Sequence, residues 1–504
     1  MDITHIFGKS IETKISMINY LFNKQNWITT DELAKETGNE RKTILKYLSE
    51  LEEAAKIFGE SGFQLLSSKG RGVYLSAKSV NEINKFIFWM TDDSLFSKLF
   101  KSFFFETAIN LTKWSYENFV SESTARRKIS EMKVLLKKFD IQIISKKGIY
   151  FVKGDEKQIR YIYYYLFWNI YKGREWPFFN IPEEKVTLLL QEILNEYSLN
   201  LPYQIEKQLT YIFAINITRY FQNNSIHLTD EWNSYKEINR KIFHEFEIKT
   251  IIQKYFYISN NEINFLLIYL QTRYSFYSSV YGMKEALDIH KQLKTDVYQA
   301  YISFVSLFEN EFKYSINSLD TKKKLFIQSN ILSIHFKAKL FPKFTKELVN
   351  EELFLEQHFP NLIKRMNIFC NKLYAESKNS IFLETKYLTN RYLQLFSFFD
   401  SMNTFEKNIG IYFETDFPAL PSRMLKDQIS SLFSNFFNIT IYTMEDLDQL
   451  TKYMPNVDLV ISTNETLGLE TDFHSLPIIY LKNGTSKYDI ENIYRQLKMI
   501  ANNQ

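Results

Sequence analysis

The chain has one cysteine, Cys370, in 504 residues. A lone thiol excludes an internal disulfide framework and any cysteine-based zinc site, and it fits the reducing cytoplasm, where the protein is expected to work. Glycine and proline are scarce, at 13 and 9 residues, so few long loops are expected. No stretch approaches the roughly 20 apolar residues of a membrane-spanning helix. The most apolar windows, Phe86–Met90 and Phe103–Phe105, are far too short, and the opening M-D-I-T-H-I-F-G-K-S lacks the apolar run of a signal peptide. A net charge of +4 places no strong polarity on the whole chain.

What is present is aromatic and helical in character. There are 45 Phe and 33 Tyr within a chain that is 45% hydrophobic and 24% charged, a soluble globular balance. The length exceeds one hydrophobic core and predicts roughly three to five domains. The charge is unevenly placed. Residues 1–155 hold 24 Lys and Arg against 19 Asp and Glu, and residues 112–153 hold 10 against 4. A local surplus of that kind is the footprint of a polyanion binder, although a charge run alone usually marks a solvated face.

One amphipathic phrase is written twice, 81 residues apart. N-E-R-K-T-I-L-K-Y-L-S-E-L starts at Asn39, and V-S-E-S-T-A-R-R-K-I-S-E-M at Val120. In the first copy, Lys14–Gln25 carries Ile15, Ile18, Leu21 and Phe22 at helical spacing. Thr29 or Thr30 caps a second helix that turns Leu33 and Ala34 inward, and Gly38 ends it. In the third helix Ile44, Leu48 and Leu51 must be buried, leaving Arg41, Lys42, Leu45, Lys46 and Ser49 outside. Short helix, glycine turn, longer helix is the helix-turn-helix unit. Two alternating segments then flank Lys69-Gly70-Arg71-Gly72, a basic hairpin tip, or wing.

The second copy repeats the order. A helix over Leu95–Phe105 precedes a short one in L-T-K-W-S-Y-E-N-F. Ser121 caps a third, with Ala125, Ile129 and Met132 inside and Ser123, Arg126, Arg127, Ser130 and Lys133 outside. A hairpin with Lys146-Lys147-Gly148 at its turn follows. Tandem winged helix-turn-helix modules with basic wings point to double-stranded DNA: wing cations neutralise phosphates while the third helices enter the major groove. The candidate DNA-binding residues are Arg41, Lys42, Lys46, Lys69 and Arg71 in the first module. In the second they are Ser123, Arg126, Arg127, Lys133, Lys146 and Lys147, which carry the stronger positive face.

Beyond residue 155 the periodicity predicts long helices, among them Gln158–Tyr171, Glu184–Tyr197, Ile205–Asn223, a stretch around Glu231–Tyr255, Asn261–Phe276, Lys284–Phe312, Asp320–Phe341, Glu351–Lys378 and Phe382–Phe399. These make two bundles of about a hundred residues each. They hold no paired carboxylates, metal-spaced ligands or phosphate-cradling glycine loop, so no catalytic residue, metal or cofactor is expected. In the last hundred residues, strands at 408–413, 439–442, 457–462 and 476–481 alternate with helices at Ser422–Phe436, Met444–Tyr453 and Lys487–Ile500, which predicts a small parallel α/β sheet.

Tandem N-terminal modules, the segment Glu175-Trp176-Pro177-Phe178 after the second wing, two bundles and an α/β tail together resemble the Mga/AtxA family of Gram-positive transcriptional regulators. The resemblance implies a mainly α multidomain protein: winged helices over residues 1–80 and 81–155, PRD-like helical domains over 156–279 and 280–402, and an EIIB-like α/β domain over 403–504. It implies a non-enzymatic regulator of virulence or carbohydrate genes, a homodimer or larger, tuned by phosphotransferase-system phosphocarrier proteins that phosphorylate histidine. It points to His335 in L-S-I-H-F-K-A-K-L-F, with Lys337 and Lys339 near enough to pair with a phosphate, and to His227 in N-S-I-H-L-T. His244, His290 and His358 are weaker candidates, and His5 and His474 lie outside the bundles. The loop after the tail's first strand, E-T-D-F-P-A-L-P-S-R-M, has neither the cysteine nor the histidine of a phosphorylatable EIIB, so the tail is expected to bind rather than transfer phosphate. Two rival readings remain: an RNA-binding antiterminator, which also carries PRDs, and a phosphotransferase-system component.

Overall fold

The computed structural model describes residues 6–59, 62–243, 245–279, 283–344, 352–443, 456–464, 476–481 and 485–502. The expected helix Met444–Tyr453 and His5, His244 and His474 lie outside the described residues. Two compact units divide the chain, one formed by Met1–Tyr301 with Asp320–Leu348, the other by Ile302–Leu319 with Val349–Gln504.

The first unit opens with a winged helix. Helix α1 (Lys9–Lys24) buries Ile15, Ile18 and Leu21. Helix α2 (Thr30–Thr37) is capped by Thr29, whose hydroxyl accepts from the Glu32 N–H, and it stops at Gly38 with φ 63°. Helix α3 (Arg41–Phe58) buries Ile44, Leu48 and Leu51, as their spacing requires; it begins at Arg41, after Glu40, rather than at Asn39. Strands β1 (Phe63–Ser68) and β2 (Gly72–Ala77) form the antiparallel wing. A short bridge between Ile28 and Val73 adds a third edge. Sequence reading missed that bridge, which is too short to carry a period. It also explains Gly72: at φ 100° a Cβ there would stand 2.1 Å from the Ile28 carbonyl oxygen. Helix α4 (Val80–Asp92) closes the core with Ile83, Phe86 and Met90.

The second winged helix repeats the plan with helix α5 (Leu95–Phe105), strand β3 (Ala108–Asn110), helices α6 (Leu111–Glu117) and α7 (Glu122–Lys137), and strands β4 (Gln142–Lys146) and β5 (Ile149–Lys153). Its sheet runs β3-β5-β4, so the first strand absent from the sequence reading is here three residues long. Ala125, Ile129, Met132 and Leu136 of α7 are buried.

Helix α8 (Glu156–Tyr171) follows after only Gly154 and Asp155, the latter capping it through the Lys157 N–H at 2.8 Å. Helices α9 (Glu183–Glu196), α10 (Tyr203–Phe221), α11 (Asn233–Phe243), α12 (Glu245–Tyr255), α13 (Asn260–Leu270) and α14 (Tyr274–Ser279) complete the first helical region. Buried charge binds three of them. Arg160 and Glu262, 2% and 1% exposed, form a two-pronged ion pair at 2.5 and 3.0 Å. Arg160 also reaches Glu156 and Asn216, and Arg219 makes two 2.8 Å bonds to Glu156. The Glu175-Trp176-Pro177-Phe178 segment is a packed turn: the Trp176 indole donates to the Phe178 and Ile181 carbonyls, and its ring and that of Phe178 meet Tyr211 edge-on.

Several expected long helices are broken, among them Asn261–Phe276, which is α13 and α14 with a turn at residues 271–273. Lys284–Phe312 is α15 (Met283–Gln292) and α16 (Asp296–Phe312), separated where Lys294 turns left-handed at φ 49° and the Thr295 hydroxyl accepts from the Tyr298 N–H. Glu351–Lys378 is α18 (Glu352–His358) and α19 (Pro360–Ser377), because Pro360 has no N–H to continue a helix and starts one instead. Helix α17 (Thr321–Leu340) lies between them in the chain and belongs to the first unit. The second unit adds α20 (Thr385–Phe396) and a parallel sheet in the order β7-β6-β8-β9. Its strands are β6 (Ile409–Glu414), β7 (Ile439–Tyr442), β8 (Leu459–Ser462) and β9 (Ile478–Tyr480), flanked by α21 (Ala419–Phe433) and the C-terminal α22 (Lys487–Asn502). No described helix is long and apolar enough to cross a membrane.

Candidate nucleic-acid interface

The amphipathic third helices bury one stripe and leave the other face to water. Arg41, Lys42 and Lys46 on α3, and Ser123, Arg126, Arg127 and Lys133 on α7, are all exposed. So are the wing cations Lys69 and Arg71, in the turn between β1 and β2, and Lys146 and Lys147, at the turn between β4 and β5. None of these candidates is covered by the other described residues. Each winged helix therefore presents its third-helix cations and its wing cations to solvent together.

Local pairs orient several of them. Arg41 lies 3.5 Å from Asp31 and Lys46 3.8 Å from Glu50, both exposed pairs of small energetic weight. Arg126 is held more firmly, donating to Glu122 at 2.9 Å and to the Tyr150 hydroxyl on β5 at 3.0 Å. Hydrogen bonds from Thr112 and Arg126 hold the Glu122 carboxyl below the usual carboxylate range. Lys133 stands over the Tyr150 ring at 5.8 Å. Lys42, Arg71, Arg127 and Lys147 are exposed and have no ion pair among the described residues.

The start of α7 is tightly built. The Ser121 hydroxyl accepts from the Thr124 N–H at 3.1 Å and meets the Ser123 and Thr124 hydroxyls at 2.8 and 2.9 Å. Sequence reasoning passed over the residue two before the Ser121 cap. Phe119 occupies the left-handed turn position, at φ 55°, and is 95% exposed. Its counterpart 81 residues earlier is Gly38. A side chain at such a φ costs about 1–2 kcal/mol, which glycine avoids. Tyr116, over Lys35 of the first copy, is 85% exposed. The repeat itself carried the signal, since aligning the copies sets an aromatic residue over the glycine that a tight turn favours.

The histidines fall into two environments. His227 is exposed on the extended segment after α10, which the buried ion pair anchors: the Asn224 carbonyl accepts from Arg160, and the Ile226 N–H donates to Glu262. His335 on α17 is 0% exposed, and burial pushes its pKa down to about 3. Lys339 bonds Asp296 at 2.6 Å rather than standing ready beside His335. His290 is likewise buried and held at about 3, and His358 bonds the Tyr494 hydroxyl at 2.6 Å. Cys370 is enclosed, its thiol pushed up to about 12. No group of metal ligands occurs among the described residues.

Residues 8–62 match the helix-turn-helix domain of the M protein trans-acting positive regulator, and residues 78–167 match the Mga helix-turn-helix domain. Two relatives from Bacillus anthracis are the capsule synthesis positive regulators AcpA, 25% identical over 315 residues, and AcpB, 20% identical over 320. Each alignment covers 62% of this chain and 64% of the relative. A trans-acting regulator of Streptococcus pneumoniae serotype 4 is 21% identical over 95% of this chain and 98% of its own length. Together with the two winged helices just described, these matches lead to one conclusion: the chain carries tandem helix-turn-helix domains of the Mga type.

Proposed function

We propose that the protein binds double-stranded DNA through its tandem winged helices and regulates transcription there, as an activator. One observation carries this reading: two modules of the same plan each leave third-helix and wing cations exposed. The names of the relatives, positive regulators of capsule synthesis, support the direction of regulation. Four recognition helices in a dimer would favour long sites read largely through phosphates and DNA shape. The helical regions would act as PRD-like regulatory domains and the α/β tail as an EIIB-like self-association element. Among the described histidines, His227, being exposed, is the one a phosphocarrier protein would reach in this conformation; His335 would need the helices around it to open first. The loop after β6 has neither the cysteine nor the histidine of a phosphorylatable EIIB.

The test is DNA affinity against salt for the full chain and for the Arg126→Ala/Arg127→Ala variant. The variant should bind more weakly, with a salt slope shallower by up to about 2, because each lost phosphate contact removes about 0.9 from the slope. An unchanged slope would overturn the reading. Tighter binding to an RNA hairpin than to duplex DNA would favour the antiterminator, although a recognition helix does not fit the deep major groove of RNA.

A further inference from the structure

The turn before α7 places a large apolar ring where it does nothing for the fold. The Phe119 side chain is almost wholly in water, and its backbone is left-handed, a conformation that Gly38 adopts without strain in the first module. Both features work against stability, and an outlier of this kind at a working motif is evidence of a role. The turn is not loose. The Phe119 N–H donates to the Tyr116 carbonyl at 3.2 Å and the Val120 N–H to the Ser115 carbonyl at 3.0 Å. The backbone of the turn is thus held at a set place, two residues before the Ser121 cap of the helix that carries Ser123, Arg126 and Arg127.

Helix-turn-helix docking gives that place a meaning. The second helix of the unit crosses the phosphate backbone, and the first turn of the third helix reaches base edges, so the turn between them sits at the rim of the major groove. Among the base edges of the B-DNA major groove, the apolar group that differs with sequence is the thymine C5-methyl. An aromatic ring carries a large buried area for such a contact at low entropic cost. The surrounding cations complement a polyanion, which favours nucleic acid over an apolar protein surface as the occupant.

We infer that Phe119 is a DNA-contacting residue that packs on thymine methyl groups at the rim of the major groove, adding a salt-independent and thymine-selective component to binding. The inference rests on the DNA-binding reading above and adds to it a residue and a base preference. Its chemistry differs from that of the cations: removing the ring takes away apolar contact but no phosphate neutralisation, so affinity should fall while the salt slope stays.

The experiment uses the full-length chain with Phe119→Gly and, as a second ring deletion tolerant of the left-handed turn, Phe119→Asn. The probe is a fluorescent A·T-rich duplex of about 40 base pairs, nearly four helical turns, in two forms, one with thymine and one with deoxyuridine throughout. Wild-type protein should bind the thymine duplex about tenfold more tightly than either variant, at equal salt slope, and should lose affinity on the deoxyuridine duplex. The variants should discriminate less between the two duplexes, while Phe119→Gly melts at the same temperature as wild type or a few degrees higher. Affinity of Phe119→Gly within twofold of wild type on thymine DNA would overturn the inference and leave the DNA-binding reading standing. Loss of self-association without loss of DNA affinity would also overturn it, reassigning the ring to a protein contact. Failure of the wild-type chain to bind either duplex would overturn both.

Discussion

In the first winged helix the hydrophobic core closes on itself, drawing its buried residues from Ile15 to Met90. In the second, the same plan opens into the helices that follow. Phe100 and Phe104 of α5 pack against Tyr163 and Phe167 of α8, with ring centroids 4.8 to 5.2 Å apart. Gln222 donates to the Phe104 and Phe105 carbonyls, and Phe139 stacks on Phe344 at 4.2 Å. Two copies of one phrase have thus been given different attachments: the first keeps its own core and meets the helices that follow through α4, where Phe88 and Asp92 touch Tyr171, whereas the second shares its core with them. The surface differs in the same sense. The first copy has glycine at its turn and lysine at position 35, whereas the second has Phe119 and Tyr116 there and the denser cations.

The sharpest way to break this comparison is to loosen the body. Glu262→Ala leaves Arg160 buried without its main partner and should cost about 3–5 kcal/mol. Hydrogen exchange should then rise in α5, α7 and α8 and stay unchanged in α3; equal loosening of both winged helices would contradict the difference in attachment.

Acid offers a second handle. His290 and His335 are held by burial at about 3, below the ordinary value near 6.5, so the unfolded chain binds protons that the native chain does not. Their contribution is therefore complete above about pH 6.5 and is lost progressively as pH falls towards 3, on the order of 2 kcal/mol per histidine at pH 5. Residues 6–155 contain no histidine. Thermal melts between pH 7 and 5 should show the body losing stability, and His335→Gln should flatten that dependence.

On DNA, Arg126→Ala/Arg127→Ala should weaken binding more than Lys42→Ala/Lys46→Ala, and comparing the two salt slopes measures how unequally the modules share the phosphates. The smallest effect belongs to the turn. Gly38→Ala meets no atom within 4 Å but keeps φ 63°, so a denaturant midpoint should report a loss of only about 1 kcal/mol.

Much of this was legible in residue order. The buried stripes Ile44-Leu48-Leu51 and Ala125-Ile129-Met132, the wing turns and the strand–helix alternation of the tail all follow from period and turn chemistry. The Ile28 bridge and the strand Ala108–Asn110 did not, because elements of one to three residues have no period. The break at Lys294 is marked by neither glycine nor proline, while the one at Pro360 was written plainly and read through. Arg160 and Glu262 stand 102 residues apart, and only the fold makes them partners. The exposure of His227 and the enclosure of His335 likewise depend on which helices pack around them.

Gly154 and Asp155 are all that separates the second wing from α8, and a Cβ at Gly154 would already crowd the Asp140 carbonyl at 3.2 Å. So short a joint has no slack to absorb a rotation. Wing and helix must turn as a single lever, so a tilt imposed at either end is felt at the other.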